Sequence, residues 1–356
     1  MKPFSGRLPR WLISRLFPAQ LRLLVVFISS ALVACGLLPG AGRDTVSFDP
    51  VDGARILTED FALYGYPVWS SDGGSIAALR IPSFGNAPGP ISVGDVVLIN
   101  LESGDQRVLD LGPDLKSGLA GPPLFWMPSG NELAFYYFDP ASAQQMPSLI
   151  VTDVPSNEYR VVEVCRCTPV ALDAEGSQLL VVSERSEVAF SLSWFDLETK
   201  EMRPEMTVPR EKPGDHDYID LALSPDGASL LLGHLDGGVY RYEMGSGNPP
   251  ELFLSPAASP AWSADGSKVA FAQLPKAGFA DYYFGQLVIA NADGSFPTPL
   301  FPERQQWGML APAWSPDGTQ IAFLYQHGAA NANSLLVTNV PENLRPLSLG
   351  QSPSGP

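Results

Sequence analysis

The sequence predicts an all-β fold, a six-bladed β-propeller of four-stranded blades. Three observations lead to this prediction: a short motif that occurs six times, a hairpin pattern after each copy, and a composition that disfavours long helices. The 356 residues include 33 glycines and 35 prolines, and both residue types interrupt helices. Hydrophobic residues make up 45% of the chain, which suffices for a packed core and excludes wholesale disorder.

The repeated motif is Pro-x-Trp, followed by a Ser-Pro-Asp-Gly turn and an Ile-Ala-Phe segment. It is well preserved at residues 67–78, 260–271 and 312–323, and degenerate at 123–135, 169–179 and 221–230. The tryptophan positions lie 39 to 57 residues apart, which is one small sheet per copy. They are occupied by Trp69, Trp126, Leu172, Leu223, Trp262 and Trp314.

Each motif predicts a hairpin with a tight turn. Aspartate can bond to the turn backbone, glycine supplies a positive φ, and the flanking apolar residues form two strands that pack on neighbouring sheets. We therefore expect structural roles for the repeat residues Trp69, Asp72, Gly73, Trp126, Gly130, Gly176, Asp226, Gly227, Trp262, Asp265, Gly266, Trp314, Asp317 and Gly318.

A second hairpin pattern follows every motif. In the first copy it joins residues 96–101 to 106–109, and in the last it joins 335–338 to 344–347. Each copy thus offers four short strands with turn residues between them. Sheets of this kind bury their apolar faces by stacking around an axis, which is the architecture of a propeller.

One segment is surplus to this count. Residues 46–57 also read as a second-type hairpin and align with residues 337–347. Either a strand from this N-terminal piece completes the last blade, or the piece lies outside the ring. A seventh, partial blade is disfavoured because there is no seventh Asp-Gly hairpin.

The motif resembles the WD40-like repeat (PD40) of the TolB-type propeller family, over most of residues 55–350. Three of the six copies depart from the pattern: the second has Met-Pro-Ser-Gly at the turn, and the third and fourth lack the tryptophan. The resemblance implies a propeller that acts as a partner in envelope assemblies.

The first 34 residues carry a targeting pattern. They contain five basic residues and no acidic one, and an apolar run over 23–34 follows. This layout is typical of a secretory signal. Leu32-Val33-Ala34-Cys35-Gly36 resembles the lipobox of bacterial lipoproteins, which implies cleavage before Cys35 and its lipidation. The alternative is an uncleaved signal anchor. We predict a signal peptide over 1–34, a lipidated linker over 35–44, the propeller over 45–350 and a tail over 351–356.

Long connections should gather aromatic and acidic side chains at one end of the ring. The longest fall at residues 82–94, 138–147 and 274–285, and connections between blades should reach the same end. Aromatic faces with a few polar groups bind sugars, peptides or partner loops. The alternative is that the aromatic clusters pack the long loops onto the disc. The candidate rim consists of Tyr136, Tyr137, Asp139, His216, Tyr218, Asp281, Tyr282, Tyr283, Trp307, Tyr325 and His327.

No catalytic motif is present in the sequence. There is no nucleophile elbow and no phosphate-binding loop, and the three histidines lack metal-site spacing. His234 lies in a short glycine-rich turn and is interpreted as incidental. We therefore expect no cofactor, no metal and a non-catalytic binding module of the cell envelope. The alternative is a saccharide lyase or hydrolase with a metal at the channel mouth, for which Asp215, His216, Asp281 and His327 form the one plausible set.

Charge and cysteine content limit the partners and the cross-links. The acidic composition, with a formal net charge of −16, argues against nucleic acid. Removal of residues 1–34 with their five basic side chains would leave 17 − 38 = −21, which suits a soluble body held off an anionic membrane. Three cysteines cannot form a disulfide scaffold. Cys165 and Cys167 are either bonded to each other or free thiols, and a redox site is a third option. The expected partner is a protein, a peptide or a glycan outside the cytoplasm.

Overall fold

The computed structural model describes residues 53–58, 62–81, 95–110, 119–138, 147–163, 167–186, 189–209, 218–277, 285–302, 308–326 and 333–346. These residues form 24 strands, and their one helical element is a 3-10 helix over Glu342–Leu344. No helix in these ranges is long and apolar enough to cross a bilayer.

The strands fall into six antiparallel sheets of four, which are the blades. The chain begins with β1 (Ala54–Ile56) and then forms blade 1 from β2 (Leu63–Trp69), β3 (Ser75–Ile81), β4 (Asp95–Asn100) and β5 (Gln106–Val108). Blade 2 contains β6 (Leu119–Trp126), β7 (Glu132–Phe138), β8 (Pro147–Asp153) and β9 (Tyr159–Glu163). Blade 3 contains β10 (Thr168–Leu172), β11 (Gln178–Arg185), β12 (Ala189–Asp196) and β13 (Met202–Pro209).

The remaining blades repeat this order. Blade 4 contains β14 (Tyr218–Leu223), β15 (Ser229–His234), β16 (Gly238–Glu243) and β17 (Glu251–Leu254). Blade 5 contains β18 (Ala257–Trp262), β19 (Lys268–Gln273), β20 (Gln286–Asn291) and β21 (Thr298–Pro299). Blade 6 contains β22 (Met309–Trp314), β23 (Gln320–Gln326), β24 (Asn333–Asn339) and the N-terminal strand β1.

The first strands of the blades form the inner wall of a closed ring. Each contacts the first strand of the next blade, in the order β2, β6, β10, β14, β18, β22 and back to β2. The fourth strands lie at the outer edge of each sheet. The predicted six-bladed propeller is thereby confirmed. We call the end that carries the Asp-Gly turns the turn end, and the opposite end, with the connections between second and third strands, the loop end.

The N-terminal strand closes the ring, which resolves the question of the surplus hairpin. β1 runs antiparallel to β24, with Ala54 opposite Thr338 and Ile56 opposite Leu336. The predicted fourth strand over residues 344–347 is therefore wrong, because β1 already occupies that edge. Its first residue lies instead in the 3-10 helix, where Leu344 packs against the core between blades 5 and 6.

The core lies in the seams between adjacent blades. In the seam between blades 6 and 1, for example, Ile76 and Ile99 pack with Leu335 and Val337, and all four side chains are buried. Equivalent apolar clusters fill the other five seams. No blade could bury these faces alone, so stability depends on neighbouring blades.

Four seams carry the same tryptophan hydrogen bond. The indole nitrogen on the first strand of one blade donates to a backbone carbonyl on the first strand of the preceding blade. The donor and acceptor pairs are Trp69 to Ala313 (2.9 Å), Trp126 to Val68 (3.3 Å), Trp262 to Ala222 (3.1 Å) and Trp314 to Ala261 (3.3 Å). Blades 3 and 4 have Leu172 and Leu223 at this position and lack the bond.

The Asp-Gly turns share one geometry. Asp72 Oδ1 accepts from the Ser70 hydroxyl at 2.6 Å and from the Gly74 amide at 2.9 Å, and these bonds lower the pKa of Asp72. The turn glycines have φ values from 68° to 79°, which disfavour a side chain. They are Gly73, Gly227, Gly266 and Gly318 of the Asp-Gly turns, with Gly130 and Gly176 of the Ser-Gly and Glu-Gly turns in blades 2 and 3.

Three inner strands contain the same strained bulge. Tyr66, Ser259 and Ala311 each have a positive φ and each precede a proline in a β-bulge of the first strand. Backbone strain of this kind often marks a functional site. Here it recurs at equivalent positions of three consecutive blades, so we assign it to the curvature of the inner wall.

Candidate functional site

The predicted rim divides into residues that the structure describes and residues that it does not. The loop residues Asp139, His216, Asp281, Tyr282, Tyr283, Trp307 and His327 lie outside the described ranges, as do Cys35 and the whole predicted signal peptide. Tyr136 lies in β7, where the structure defines its backbone position. These assignments remain predictions.

Tyr137, Tyr218 and Tyr325 all lie at the loop end of their blades. Tyr137 is 6% exposed in the core between blades 1 and 2, and Tyr325 is 8% exposed in the core between blades 5 and 6. Their burial favours the packing alternative for these two side chains. Tyr218 is half-buried and lies against the seam between blades 3 and 4, so it is the described rim residue best placed to meet a partner.

Tyr218 is the centre of an aromatic cluster, which we call the seam 3/4 cluster: Arg185, Phe190, Tyr218, His234, Asp236 and Tyr240. The Tyr218 ring packs edge-to-face against His234 at 5.1 Å and Tyr240 at 5.7 Å between centroids. Phe190 of blade 3 makes a similar contact at 5.4 Å. The rings of two blades therefore interlock at the loop end.

Local sequence places these side chains together. Tyr218 begins β14 directly opposite His234 at the end of β15. The connection from β15 to β16 is the tight turn 235–237, which brings Tyr240 back beside His234, with 5.9 Å between ring centroids. The Gly237 residue of this turn has a φ of 86°, a conformation suited to glycine.

Polar groups surround the rings. His234 Nδ1 lies 2.9 Å from Asp236 Oδ1, and the Tyr240 hydroxyl donates to Asp236 Oδ2 at 3.4 Å. Arg185 Nη2 donates to the Tyr218 carbonyl at 3.3 Å, and its guanidinium lies 5.6 Å from the centroid of the Phe190 ring. Asp236 is exposed, with 48% of its side chain accessible, so the cluster presents a carboxylate to solvent.

Burial determines the chemistry of the two phenols. Burial, with smaller contributions from Tyr240 and Asp236, raises the pKa of Tyr218 to about 12. Burial, and then Asp236, also raises the pKa of Tyr240. Both hydroxyls are therefore protonated at neutral pH, and they are hydrogen-bond donors rather than proton acceptors. A tyrosine that serves as a general base needs a pKa shifted the other way.

The sequence identified Tyr218 but interpreted His234 as incidental, and it did not single out Asp236 or Tyr240. The structure places His234 and Tyr240 against the Tyr218 ring, and Asp236 against His234 and Tyr240. The available signal was the short connection over residues 235–237, because this tight turn pairs His234 with Gly238 and so sets the strand register that brings Tyr240 beside His234.

The metal and redox alternatives also rest partly on described residues and partly on residues outside the described ranges. Within the described ranges, no three residues of the types His, Cys, Asp and Glu converge into a metal-binding group. Cys167 is buried and disulfide-bonded, which excludes the free-thiol alternative for this residue. The two other cysteines of the chain, Cys35 and Cys165, lie outside the described ranges.

No family profile and no curated protein matches the sequence of this chain. Solved structures are similar in fold. TolB from Acinetobacter baumannii superimposes with a TM-score of 0.51 at 16% identity, over 75% of this chain, which spans 64% of that structure. An oligogalacturonate lyase from Vibrio parahaemolyticus gives 0.53 at 14% identity, over 82% of this chain and 94% of the lyase.

A second oligogalacturonate lyase structure, in complex with manganese, gives a TM-score of 0.52 at 14% identity, over 81% of this chain and 93% of that one. At such low identities the likeness concerns the fold. TolB and the lyases share this architecture, so the architecture by itself does not identify an activity.

Proposed function

We propose that this chain is a non-catalytic binding module of the bacterial cell envelope, held on a membrane by a lipid at Cys35, and that it binds a protein partner through its loop end. The observation that carries this proposal is the half-buried seam 3/4 cluster, where Tyr218 and Tyr240 remain protonated beside the exposed carboxylate of Asp236. Tyrosine and arginine anchors around a small polar group are typical of protein interfaces.

The position of the seam 3/4 cluster also supports binding of a partner at the loop end. It lies at the end of the ring where the longest predicted connections fall, at residues 82–94, 138–147 and 274–285. Binding residues commonly lie on loops that a rigid scaffold positions. The similarity of fold to TolB is compatible with an envelope location. A peptide or glycan could occupy the same rim, because aromatic faces also bind these ligands.

The experiment is site-specific photo-crosslinking in cells of the source bacterium. A photoreactive residue at position 236, at the loop end, is compared with one at Gly245, which is exposed at the turn end. We expect a discrete protein adduct from position 236 that Tyr218→Ala together with Tyr240→Ala reduces at least tenfold. Equal adducts from both positions, or none from 236, would contradict loop-end binding.

The lipid anchor has a separate test. We expect radiolabelled palmitate to enter the wild-type protein and not the Cys35→Ser variant. Label that persists in the variant would show that Cys35 is not the lipidated residue and would favour an uncleaved anchor.

The alternative function is a saccharide lyase or hydrolase, in line with the fold of the two oligogalacturonate lyase structures. It would require Asp215, His216, Asp281 and His327 to converge at the channel mouth. Assay of the purified protein on oligogalacturonate with and without manganese decides between the two. Turnover that is lost on substituting His216 and His327 would replace the binding proposal.

A further inference from the structure

The outer edge of blade 2 differs from the outer edges of the other blades. Its fourth strand, β9, covers the five residues Tyr159–Glu163 and contains no proline. β1 and β5 have three residues each, β21 has two, and β17 has four that directly follow two prolines. β13 has eight residues but contains Pro204 and Pro209. Outer strands that are short or contain proline are protected from pairing with another chain.

The hairpin of β8 and β9 determines which backbone groups of β9 point outward. The Asp153 amide donates to the Glu158 carbonyl at 2.8 Å, so these two residues form a hydrogen-bonded pair. In an antiparallel pair of strands, bonded and non-bonded positions alternate. Tyr159, Val161 and Glu163 are therefore non-bonded positions with respect to β8. Their N–H and C=O groups point away from the sheet, toward the place that a further strand would occupy.

Blade 3 has a proline at one of these outward positions. Its hairpin has the same turn, in which the Asp196 amide donates to the Glu201 carbonyl at 3.0 Å. Pro204 follows Glu201 at the same spacing as Val161 follows Glu158, and it lies on the outer strand in the same way. Proline has no N–H, so the outer edge of blade 3 lacks a donor that blade 2 retains.

Blades 1 and 5 complete the comparison. In blade 5 the Leu300 amide donates to the Leu287 carbonyl at 2.9 Å, so the neighbouring Pro299 is also an outward position. In blade 1, Val108 is the equivalent of Val161, but β5 ends at this residue. Within the described ranges, β9 is therefore the longest outer strand that keeps an N–H at every outward position.

The same positions of β9 expose apolar side chains. Tyr159 and Val161 are both exposed, and 54% of Val161 is accessible to solvent. Successive side chains of a strand point to opposite faces, so these two share one face of β9, while Glu158 and Arg160 share the other. A strand added at this edge would meet apolar side chains on one face and charged side chains on the other.

The charged face of β9 presents a cation next to an anion. The Arg160 side chain is 55% exposed, and its guanidinium forms an ion pair with Glu132 of the same blade. Glu158, two residues earlier, is exposed at the turn end. On an added antiparallel strand, an acidic residue opposite Arg160 and a basic residue opposite Glu158 would form favourable cross-strand pairs.

A second copy of β9 does not supply this pattern over the length of the strand. Antiparallel self-pairing centred on Val161 places Val162 opposite Arg160, which leaves the charge without a counterpart. Self-pairing centred on Arg160 places the two arginines opposite each other, which is unfavourable. The charges of this edge therefore favour a different chain.

Self-pairing centred on Tyr159 does match charges, because it places Glu158 opposite Arg160 in both directions. This arrangement is too short to be stable. The residue before Glu158 is Asn157, which has a φ of 60° in the turn and so cannot continue an extended strand. The overlap ends after residues 158–160 and leaves Val161 unpaired.

We propose that the outer edge of β9 binds an extended segment of a partner protein as a fifth, antiparallel strand of blade 2. The segment has β-branched apolar residues opposite Tyr159 and Val161. It has an acidic residue opposite Arg160 and a basic residue opposite Glu158. Backbone hydrogen bonds to the outward groups of β9 provide affinity, and the alternating side chains provide specificity. This edge lies on the circumference of the ring, and the proposal does not depend on the loop-end site.

The test uses the purified protein and the peptide acetyl-Thr-Val-Val-Glu-Val-Lys-amide, in which the glutamate would lie opposite Arg160. Binding is followed by the backbone amide resonances of Tyr159 and Val161. We expect saturable binding and slower hydrogen exchange at these two amides. N-methylation of the two valines beside the glutamate should abolish binding, because their amides face β9. N-methylation of the glutamate, whose amide faces away, should leave binding within threefold.

The repeat supplies a matched pair of protein variants. Val161→Pro removes one outward N–H and reproduces what blade 3 has at Pro204, so the melting temperature should stay close to that of wild type. We expect at least tenfold weaker peptide binding. Val108→Pro changes the equivalent position of blade 1 and should leave binding within twofold. Equal loss in both variants, or no loss in Val161→Pro, would overturn the proposal.

A charge exchange tests the register without a proline. Arg160→Glu should weaken binding of the peptide at least fivefold, and a peptide with lysine in place of the glutamate should restore it to within twofold. Failure of this rescue would overturn the proposed alignment. Sedimentation of the protein alone tests the other occupant, because a dimer that Val161→Pro converts to a monomer would overturn the proposal in favour of a second copy.

Discussion

The seams on the two sides of blade 3 differ from the other four in how neighbouring blades are joined. Four seams have an indole N–H that donates to the preceding blade, whereas the seams 2/3 and 3/4 have leucine at that position. In seam 3/4 the blades are joined at the opposite end, where Arg185 donates to the Tyr218 carbonyl and the aromatic rings interlock.

This difference shows that closure of the ring does not require every feature of the repeat motif in every blade. Six blades close with four tryptophan bonds, so the bond stabilises individual seams and is not needed at every one. The seam that lacks the bond and contains the candidate site is packed by Phe190, which is buried, and by Tyr218 and Tyr240, which are half-buried. Degeneracy of the motif in blades 3 and 4 thus coincides with the most chemically distinctive part of the described rim.

The largest expected effect tests whether the tryptophan seams are more stable than the seams of blade 3, and it comes from removing a seam tryptophan. Trp314 is 8% exposed and packs between blades 5 and 6. We expect Trp314→Ala to lower the free energy of unfolding by about 3–5 kcal/mol, because it removes a large buried side chain and leaves a cavity. Denaturant titration measures this. A loss below that of Leu223→Ala in seam 3/4 would show that the tryptophan seams are not the stronger ones.

The seam between blades 6 and 1, which closes the ring, contains a second type of hydrogen bond between blades and so refines the comparison. Asn333, which is buried, accepts from the Tyr64 amide at 2.6 Å and donates to the Tyr64 carbonyl at 2.9 Å. Asn333→Ala should cost about 2–4 kcal/mol, because two buried backbone groups lose their partner.

The control for Asn333→Ala lies on the same strand. Asn339 is exposed, and Asn339→Ala should change the free energy of unfolding by less than about 0.5 kcal/mol. Equal losses in the two variants would mean that closure does not depend on the Asn333 bonds.

The sequence predicted the blades well because their turn chemistry is local. The Asp72 turn, for example, can be recognised from four consecutive residues. Ring closure was left open, because pairing of Ala54 with Thr338 joins strands almost 300 residues apart and a three-residue strand gives a weak pattern. The predicted strand at 344–347 failed for the same reason, since its edge was already paired.

The site was harder to predict than the fold. Tyr218 was recognised from its place in a connection, but its contact with His234 and Tyr240 follows from strand register, which composition does not reveal. Side-chain relationships across seams depend on tertiary geometry that no short motif encodes.

A smaller effect concerns pH and is confined to seam 3/4. The pKa of Tyr218 is raised to about 12, above the value near 10 expected in the unfolded chain. Folding therefore favours the protonated phenol, and its stabilisation is complete below pH 10 and lost as the pH rises through 12. With allowance for partial exposure, the loss should be about 1–2 kcal/mol.

Thermal unfolding between pH 9 and pH 12.5 checks this prediction. The melting temperature of wild type should fall more steeply above pH 10 than that of Tyr218→Phe, which has no phenol at this position. Parallel curves would show that the Tyr218 ring is more hydrated than its packing against Phe190 and His234 indicates.

The smallest expected effect isolates the hydrogen bond that distinguishes the two kinds of seam. Trp262→Phe retains an aromatic ring but removes the indole donor to the Ala222 carbonyl. The cost should be about 1–2 kcal/mol, one lost hydrogen bond plus a small loss of apolar area. Trp194→Phe is the matched control, because Trp194 is partly buried against seam 3/4 and, within the described ranges, its indole makes no such bond. If both substitutions cost the same, the tryptophans stabilise the ring through their bulk alone, and the seams of blade 3 differ from the rest only in side-chain size.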